Sequence, residues 1–360
     1  MTRTDMAAAP GGGTPTRERR AVRSASRRDD LIAVLFGACL VGGALSDGWA
    51  HVNIVATIEG FFTPWHGLLY AGFTATAAWT CWLAYQRRDV APRWWRDGWP
   101  AGYRVGALGI VVFLVGGLAD MTWHETLGVE VGLDAAFSPS HLLIDGGAVL
   151  LLTSPLRSWW ASREGGLRSC TGVASLTLGA MATTILLSHS TAFLSAAATR
   201  PIGPDGFQQP AILGVDAYLV STVALGAPFL LAHRRRATPG AATALVAGVA
   251  LFCMVMFEFP RPQAWAAVTA VVGAAVVDLV LVRLDAVRGP DATLRLPIAG
   301  AVFAALVWGG HLAGLALIDG IGWTPEVTGG IVTLTAIEGA LLGGLTTRPL
   351  PAETAPRGTA

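Results

Sequence analysis

Apolar runs of bilayer-crossing length, separated by short polar loops, dominate this sequence. They fall at about 31–50, 66–85, 103–122, 141–157, 170–190, 210–232, 240–258, 263–283, 295–318 and 326–346. A segment of roughly 20 apolar residues crosses the hydrocarbon core as a helix, because only a helix satisfies its own backbone donors and acceptors without water. The pattern predicts an all-α, polytopic integral membrane protein with about ten transmembrane helices. Composition agrees: of 360 residues, 53% are hydrophobic and only 14% charged, and the mean hydropathy is +0.54. That balance lies outside the range of soluble domains.

Charge placement orients the set. All 25 basic residues are Arg, and they gather in the N-terminal tail, in the loops after the even-numbered runs and at the C-terminus. The opposite loops contain only Arg200 and Arg261. The positive-inside rule then predicts a multi-pass protein of the cell membrane with both termini cytoplasmic. Residues 1–30 read as a disordered Arg-rich tail, 31–160 as paired helical hairpins, 161–346 as further transmembrane hairpins, and 347–360 as a second cytoplasmic tail. No cleavable signal peptide is expected, since the first apolar run leads into polar residues of functional type. Cys39, Cys81, Cys170 and Cys253 stand singly and read as small apolar filler. Nothing resembles a phosphate loop, a nucleophile triad or a nucleic-acid surface, so the expected partner is membrane lipid and not nucleic acid.

Two of the outer loops are twins. Asp47–His66 reads DGWAHVNIVATIEGFFTPWH and Asp120–His141 reads DMTWHETLGVEVGLDAAFSPSH. Both give Asp, three residues, His, a loop with an acid seven positions before the last His, then Phe, Thr or Ser, Pro, one residue and His. Asp and His at i and i+4 share a helix face. Thr63-Pro64 and Ser138-Pro139 read as N-cap and first helical residue, which puts His66 and His141 in the first turn of the returning helix. Each copy thus offers one carboxylate and two imidazoles, predicting two metal sites, Asp47/His51/His66 and Asp120/His124/His141. The carboxylates sit at negative helix ends, which favours a cation, and the returning histidines at positive ends, which keeps them neutral. Nitrogen and oxygen ligands without thiolate suit copper, zinc or iron. Haem is the rival use of the histidines, although it gives the paired Asp residues no task. Glu59 and Asp134 are candidates for supporting acids that fix the imidazole tautomers, with Asp134 expected to turn to a nitrogen of His124 or His141. Glu125 and Glu130 read as solvated loop charge. Asp145, one turn after His141, is expected to join the second site.

The later runs pair into three more outward-opening hairpins, making five repeated units. His311 and Glu326, the latter after Thr324-Pro325, form a candidate additional site. His189 and Gln209 stand at the third hairpin, and His233 reads as part of a cytoplasmic anchor with Arg234. Asp145, Asp216, Asp278 and Glu338 lie inside apolar runs, where acids can mark an ion path. They support an alternative function, a metal-ion or proton-coupled transporter.

The residues DMTWH, then Asp134, then FSPSH resemble the metal-binding segment of the C subunit of the particulate methane and ammonia monooxygenases. That family has an Asp-x3-His helix end with Trp before the His, then Asp-x2-Phe-Thr-Pro-Ser-His, and its Asp and two His bind copper. The resemblance implies Asp120, His124 and His141 as copper ligands and, by internal repetition, Asp47, His51 and His66. The family's C subunit is similar in having a second, related site, with Asn where this chain has Asp47. The resemblance also implies a monooxygenase-type subunit that works with partner subunits. It is strong over Asp120–His141 and weak over the twin, and this chain has more apolar runs than the family's C subunit.

Overall fold

The computed structural model describes residues 24–54, 60–162, 164–203, 209–235, 237–289 and 293–347. Among these, regular structure is helical throughout. The main helices are α1 (Arg27–Asn53), α2 (Pro64–Tyr85), α3 (Arg104–Leu127), α4 (Pro139–Leu152), α5 (Ser154–Ser162), α6 (Leu167–Leu187), α7 (Gln209–Arg234), α8 (Ala241–Met256), α9 (Arg261–Arg288), α10 (Arg295–Ile318) and α11 (Pro325–Thr347).

Seven helices, α1, α3, α6, α7, α9, α10 and α11, are long and apolar enough to cross a membrane. The sequence predicts about ten. The other three runs also fold as helices, but α4 has 14 residues and α8 has 16. Helix α2 is longer, and Trp, Thr, Tyr and His dilute its apolar character. The fourth run, expected to continue to residue 157, breaks at Thr153 and resumes as α5, where Pro155 has no backbone N–H to give to the preceding turn.

Glycine sets the closest helix crossings. A Cβ at Gly72 would lie 2.6 Å from the Leu40 backbone and one at Gly43 2.7 Å from the Leu68 carbonyl, so α1 and α2 approach almost backbone to backbone. Helices α3 and α4 do the same, with a Cβ at Gly147 meeting the Phe113 nitrogen at 2.5 Å and one at Gly116 meeting the Ile144 nitrogen at 2.7 Å. Gly300 and Gly339 face each other between α10 and α11. Small residues at contacts of this kind let van der Waals packing hold helices together where lipid is as apolar as the side chains. These three pairs are packed hairpins. The expected third hairpin is not, because α6 and α7 scarcely touch, while α9 and α10 pack as extensively as any pair.

The hydrophobic interior falls into two main clusters. One lies among the first four helices with α6 and α8, around Leu40, Phe73, Phe113, Leu151 and Phe252. The other joins α7 to α11 around Tyr218, Phe229, Phe303 and Trp308. At the start of α1, the fully buried Asp30 accepts hydrogen bonds from Tyr103 Oη (2.8 Å) and Ser158 Oγ (3.0 Å) and pairs with Arg168 Nη2 at 3.4 Å. This network ties the beginnings of α1, α3, α5 and α6. Asp47 lies roughly 25 Å further along α1, at the opposite end of the bundle.

Candidate metal centre

Both loop histidines are placed by the local chemistry of their motifs. Thr63 Oγ1 accepts from the His66 backbone N–H (3.1 Å), and Ser138 Oγ accepts from that of His141 (3.3 Å), so each caps its helix with Pro at the first position. Each ring then donates from Nδ1 to a loop carbonyl, His66 to Phe61 (2.7 Å) and His141 to Ala135 (2.6 Å). A carbonyl only accepts, so Nδ1 carries a proton in both rings; Nε2 of His66 is left without a hydrogen-bond partner, whereas Nε2 of His141 faces the Asp120 carboxylate at 3.1 Å.

The two motifs do not form two separate sites. Asp47, His51, His66, Asp120, His124 and His141 come together in one cluster between the hairpins. The ligand atoms of His51, His66 and His124 lie within 4.8 Å of one another, and so do those of Asp120, His124 and His141. Both groups contain His124, and the first crosses from one motif to the other. Asp120 is the hub: its carboxylate lies 3.1 Å from His141 Nε2, 3.5 Å from His124 Nε2 and 4.0 Å from His66 Nε2. Asp47 pairs across its hairpin with His66 (3.6 Å). The reason is the helix packing, since α2 and α3 touch where Phe73 stacks on Phe113 (4.0 Å) and Tyr70 meets Gly117, which leans the helix ends together.

Four further residues border the cluster. Glu130 brings Oε2 to 3.3 Å from His124 Nε2, with its side chain 9% exposed, so it is not the solvated loop charge expected. Gly128 (φ 94°) and Gly132 (φ 59°) adopt the left-handed conformation that turns this loop back over the site. Glu125 is exposed yet accepts from the Phe61 N–H (3.3 Å), binding one loop to the other hairpin. The Phe61 ring stacks on His66 with centroids 4.7 Å apart. Tyr70 stands one turn after His66, as Asp145 stands one turn after His141, and that equivalence is the signal in the sequence that would have found it.

Many of these polar atoms are left over. Both ring nitrogens of His51 and His124 are buried without a hydrogen-bond partner, and so are His66 Nε2, Asp47 Oδ1, Tyr70 Oη and both Glu130 carboxylate oxygens. Such atoms cost about 1–3 kcal/mol each when nothing satisfies them, so their collection in one place fits a bound cation. The rings meet edge to face with centroids 5.4–6.4 Å apart. That spacing suits an ion.

Other expected residues lie elsewhere. Asp134 is exposed and makes no contact with the cluster. It sits in the first turn of the short helix Leu133–Phe137, and the neighbouring Ala135 carbonyl orients His141 in its place. Asp145 is buried beside the cluster with Oδ2 unpartnered. Glu59 lies outside the described residues. His311 and Glu326 are not brought together: His311 is fully buried, bonded through Nδ1 to Tyr218 Oη (2.9 Å) and ringed by Phe193 and Trp308, while Glu326 is exposed. His233 is buried against Phe229, not part of an exposed anchor.

Two of the intramembrane acids are otherwise disposed. Asp278 accepts from the Ala242 N–H (3.2 Å), the Thr243 N–H (2.9 Å) and Thr243 Oγ1 (2.6 Å), holding the start of α8. Asp216 is exposed on the surface of α7. Compared with protein-family models, curated proteins and solved structures, the chain shows no match. The protein is a multi-pass, membrane-type helical bundle with His and Asp groups of the kind that hold a metal ion.

Proposed function

We propose that this chain is an integral-membrane copper protein that holds its metal in one shared His/Asp cluster at the outer face of the cell membrane. The observation that carries the reading is the convergence of six potential ligand side chains, four of which, Asp47, His51, His66 and His124, hold buried atoms without a hydrogen-bond partner. Copper is favoured over zinc and iron by the resemblance of DMTWH and FSPSH to the copper-binding segment of the monooxygenase C subunits. The same resemblance supports a role as one subunit of a monooxygenase-type assembly with partner subunits. The outer location is supported by the positive-inside rule, since the loops on the cluster side contain only Arg200 and Arg261.

Bound copper would supply Lewis acidity and one-electron redox chemistry in a setting of imidazole and carboxylate ligands. The protein's own residues prepare that setting. The Phe61 and Ala135 carbonyls fix the tautomers of His66 and His141. Asp120, steadied by Ser140 Oγ (3.4 Å), sets negative charge among three rings. Phe61 covers one side against water. A transporter is less well supported, because two of the four acids proposed for its route are otherwise disposed: Asp278 is consumed in holding α8 and Asp216 is exposed.

Metal analysis of the full chain in nanodiscs tests the proposal. Wild type should retain copper when copper, zinc and iron are all supplied, and the double variant His124→Ala/His141→Ala should lose it. Unchanged metal content in the double variant would remove the cluster as the site. Zinc or iron in the wild-type protein would remove copper.

A further inference from the structure

A cavity of about 780 Å³ adjoins the cluster. Asp47, His51, Asp120 and His141 form one part of its wall, and most of the rest is apolar, including Ala44, Val52, Leu69, Ile144, Ile185 and Met256. The far wall is fixed in place. Asn53 Nδ2 donates to the Met256 carbonyl (2.9 Å), joining the ends of α1 and α8. A left-handed turn at Glu258 (φ 56°) and Phe259 (φ 54°) then carries the chain to Gln263 at the start of α9.

Two polar groups on the wall lie outside the six-residue cluster, and each has one oxygen without a hydrogen-bond partner. Asp145 is 6% exposed with Oδ2 unbonded, and Gln263 Oε1 is buried and unbonded. Both atoms accept hydrogen bonds. No arginine is among the described lining residues, and Ser188 gives its hydroxyl proton to the Ile185 carbonyl (3.0 Å). The cavity is thus largely apolar and holds two unpartnered acceptor atoms, Asp145 Oδ2 and Gln263 Oε1. Its volume falls in the range of roughly 300–1,000 Å³ that holds drug-sized ligands, and far exceeds the approximately 30 Å³ of one water.

We infer that this cavity binds a small organic molecule with an apolar body and a hydrogen-bond-donating head, in the simplest case a medium-chain alcohol, with the head directed to Asp145 and Gln263 beside the metal cluster. The inference rests on the copper reading for what would happen to the molecule there, and on the cavity alone for its binding. Apolar surface drives entry, and the donor satisfies acceptors that are otherwise stranded, which discriminates against an alkane of equal length.

The test is equilibrium binding of labelled 1-hexanol to the full chain in nanodiscs, with empty nanodiscs subtracting the lipid-partitioned fraction and n-hexane as the headless competitor. Saturable binding is expected, with hexane competing about tenfold more weakly. Gln263→Leu and Asp145→Leu should each weaken hexanol about tenfold and leave hexane unchanged. Ala136→Trp, which puts a large ring into the cavity from the short helix Leu133–Phe137, should abolish binding of both. Absence of saturable binding, equal binding of alcohol and alkane, or unaltered hexanol affinity in folded Gln263→Leu would overturn the inference. Copper content measured on the same samples separates the two readings: hexanol binding without copper sinks the metal reading only, and copper without hexanol binding sinks this one only.

Discussion

His124 is the residue where the two motifs meet, because its ring belongs to both groups of close-set ligand atoms. Two independent three-ligand sites would make Asp47/His51/His66 indifferent to its loss. In one shared cluster, His124→Ala should lower bound copper more than either His51→Ala or His141→Ala, as read by metal-to-protein ratio after dialysis. Equal losses in the three variants would restore the picture of separate sites. Ser140 offers a gentler probe, since its hydroxyl touches Asp120 at 3.4 Å and no ring nitrogen. Ser140→Ala should weaken copper affinity roughly tenfold, the usual scale for a group that orients a ligand, with the fold intact by circular dichroism. The convergence of Asp and His within each motif was legible because Asp-x3-His and Pro-x-His have fixed meanings on a helix end. The roles of Glu130 and Asp134 were not, because they depend on how a glycine-turned loop lies over the site. One of the two acids faces in, the other out, and nothing in their spacing distinguishes them.

At the scale of helices, the cluster exists because glycine lets α1 meet α2 and α3 meet α4 closely. Neighbouring positions on α4 test this directly. A Cβ at Gly147 would strike the Phe113 backbone at 2.5 Å, whereas one at Gly146 meets nothing within 4 Å. Gly147→Ala should destabilise by about 1–3 kcal/mol through overpacking and lower copper content by tilting His141 away. Gly146→Ala should be neutral or stabilising by up to about 1 kcal/mol, from helix propensity. Thermal unfolding in detergent, followed by metal analysis, reads both, and similar behaviour of the two variants would count against glycine-set packing. The helices themselves were legible from apolar runs, and so were the caps at Thr63 and Ser138. Their crossing partners were less so: sequence adjacency suggests that α6 and α7 pair, yet α6 packs instead on α1, α4, α5 and α8. A run of apolar residues specifies burial in lipid or protein without saying which neighbour fills the other side.

For the molecule as a whole, the cluster and the Asp30 network mark opposite ends, and described arginines such as Arg157 and Arg168 share the end of Asp30. Large side chains such as Leu108, Leu118, Leu279, Leu317 and Leu341 are exposed along the helices between, as a lipid-facing surface requires. This arrangement makes orientation a physical prediction, because translocating arginine-rich loops is costly while the loop around Asp134 carries no arginine. Asp134 and Asp89 are both exposed, one near the cluster and one on the arginine side, and neither contacts the cluster. With the four native cysteines replaced by alanine, Asp134→Cys should react with a membrane-impermeant thiol reagent in intact cells. Asp89→Cys should react only after the membrane is opened. The reverse pattern would put the cluster in the cytoplasm, where reduced copper is held by chaperones and thiols. A His/Asp cluster without thiolate competes poorly for copper(I) there, so inverted labelling would undermine the copper reading along with the topology.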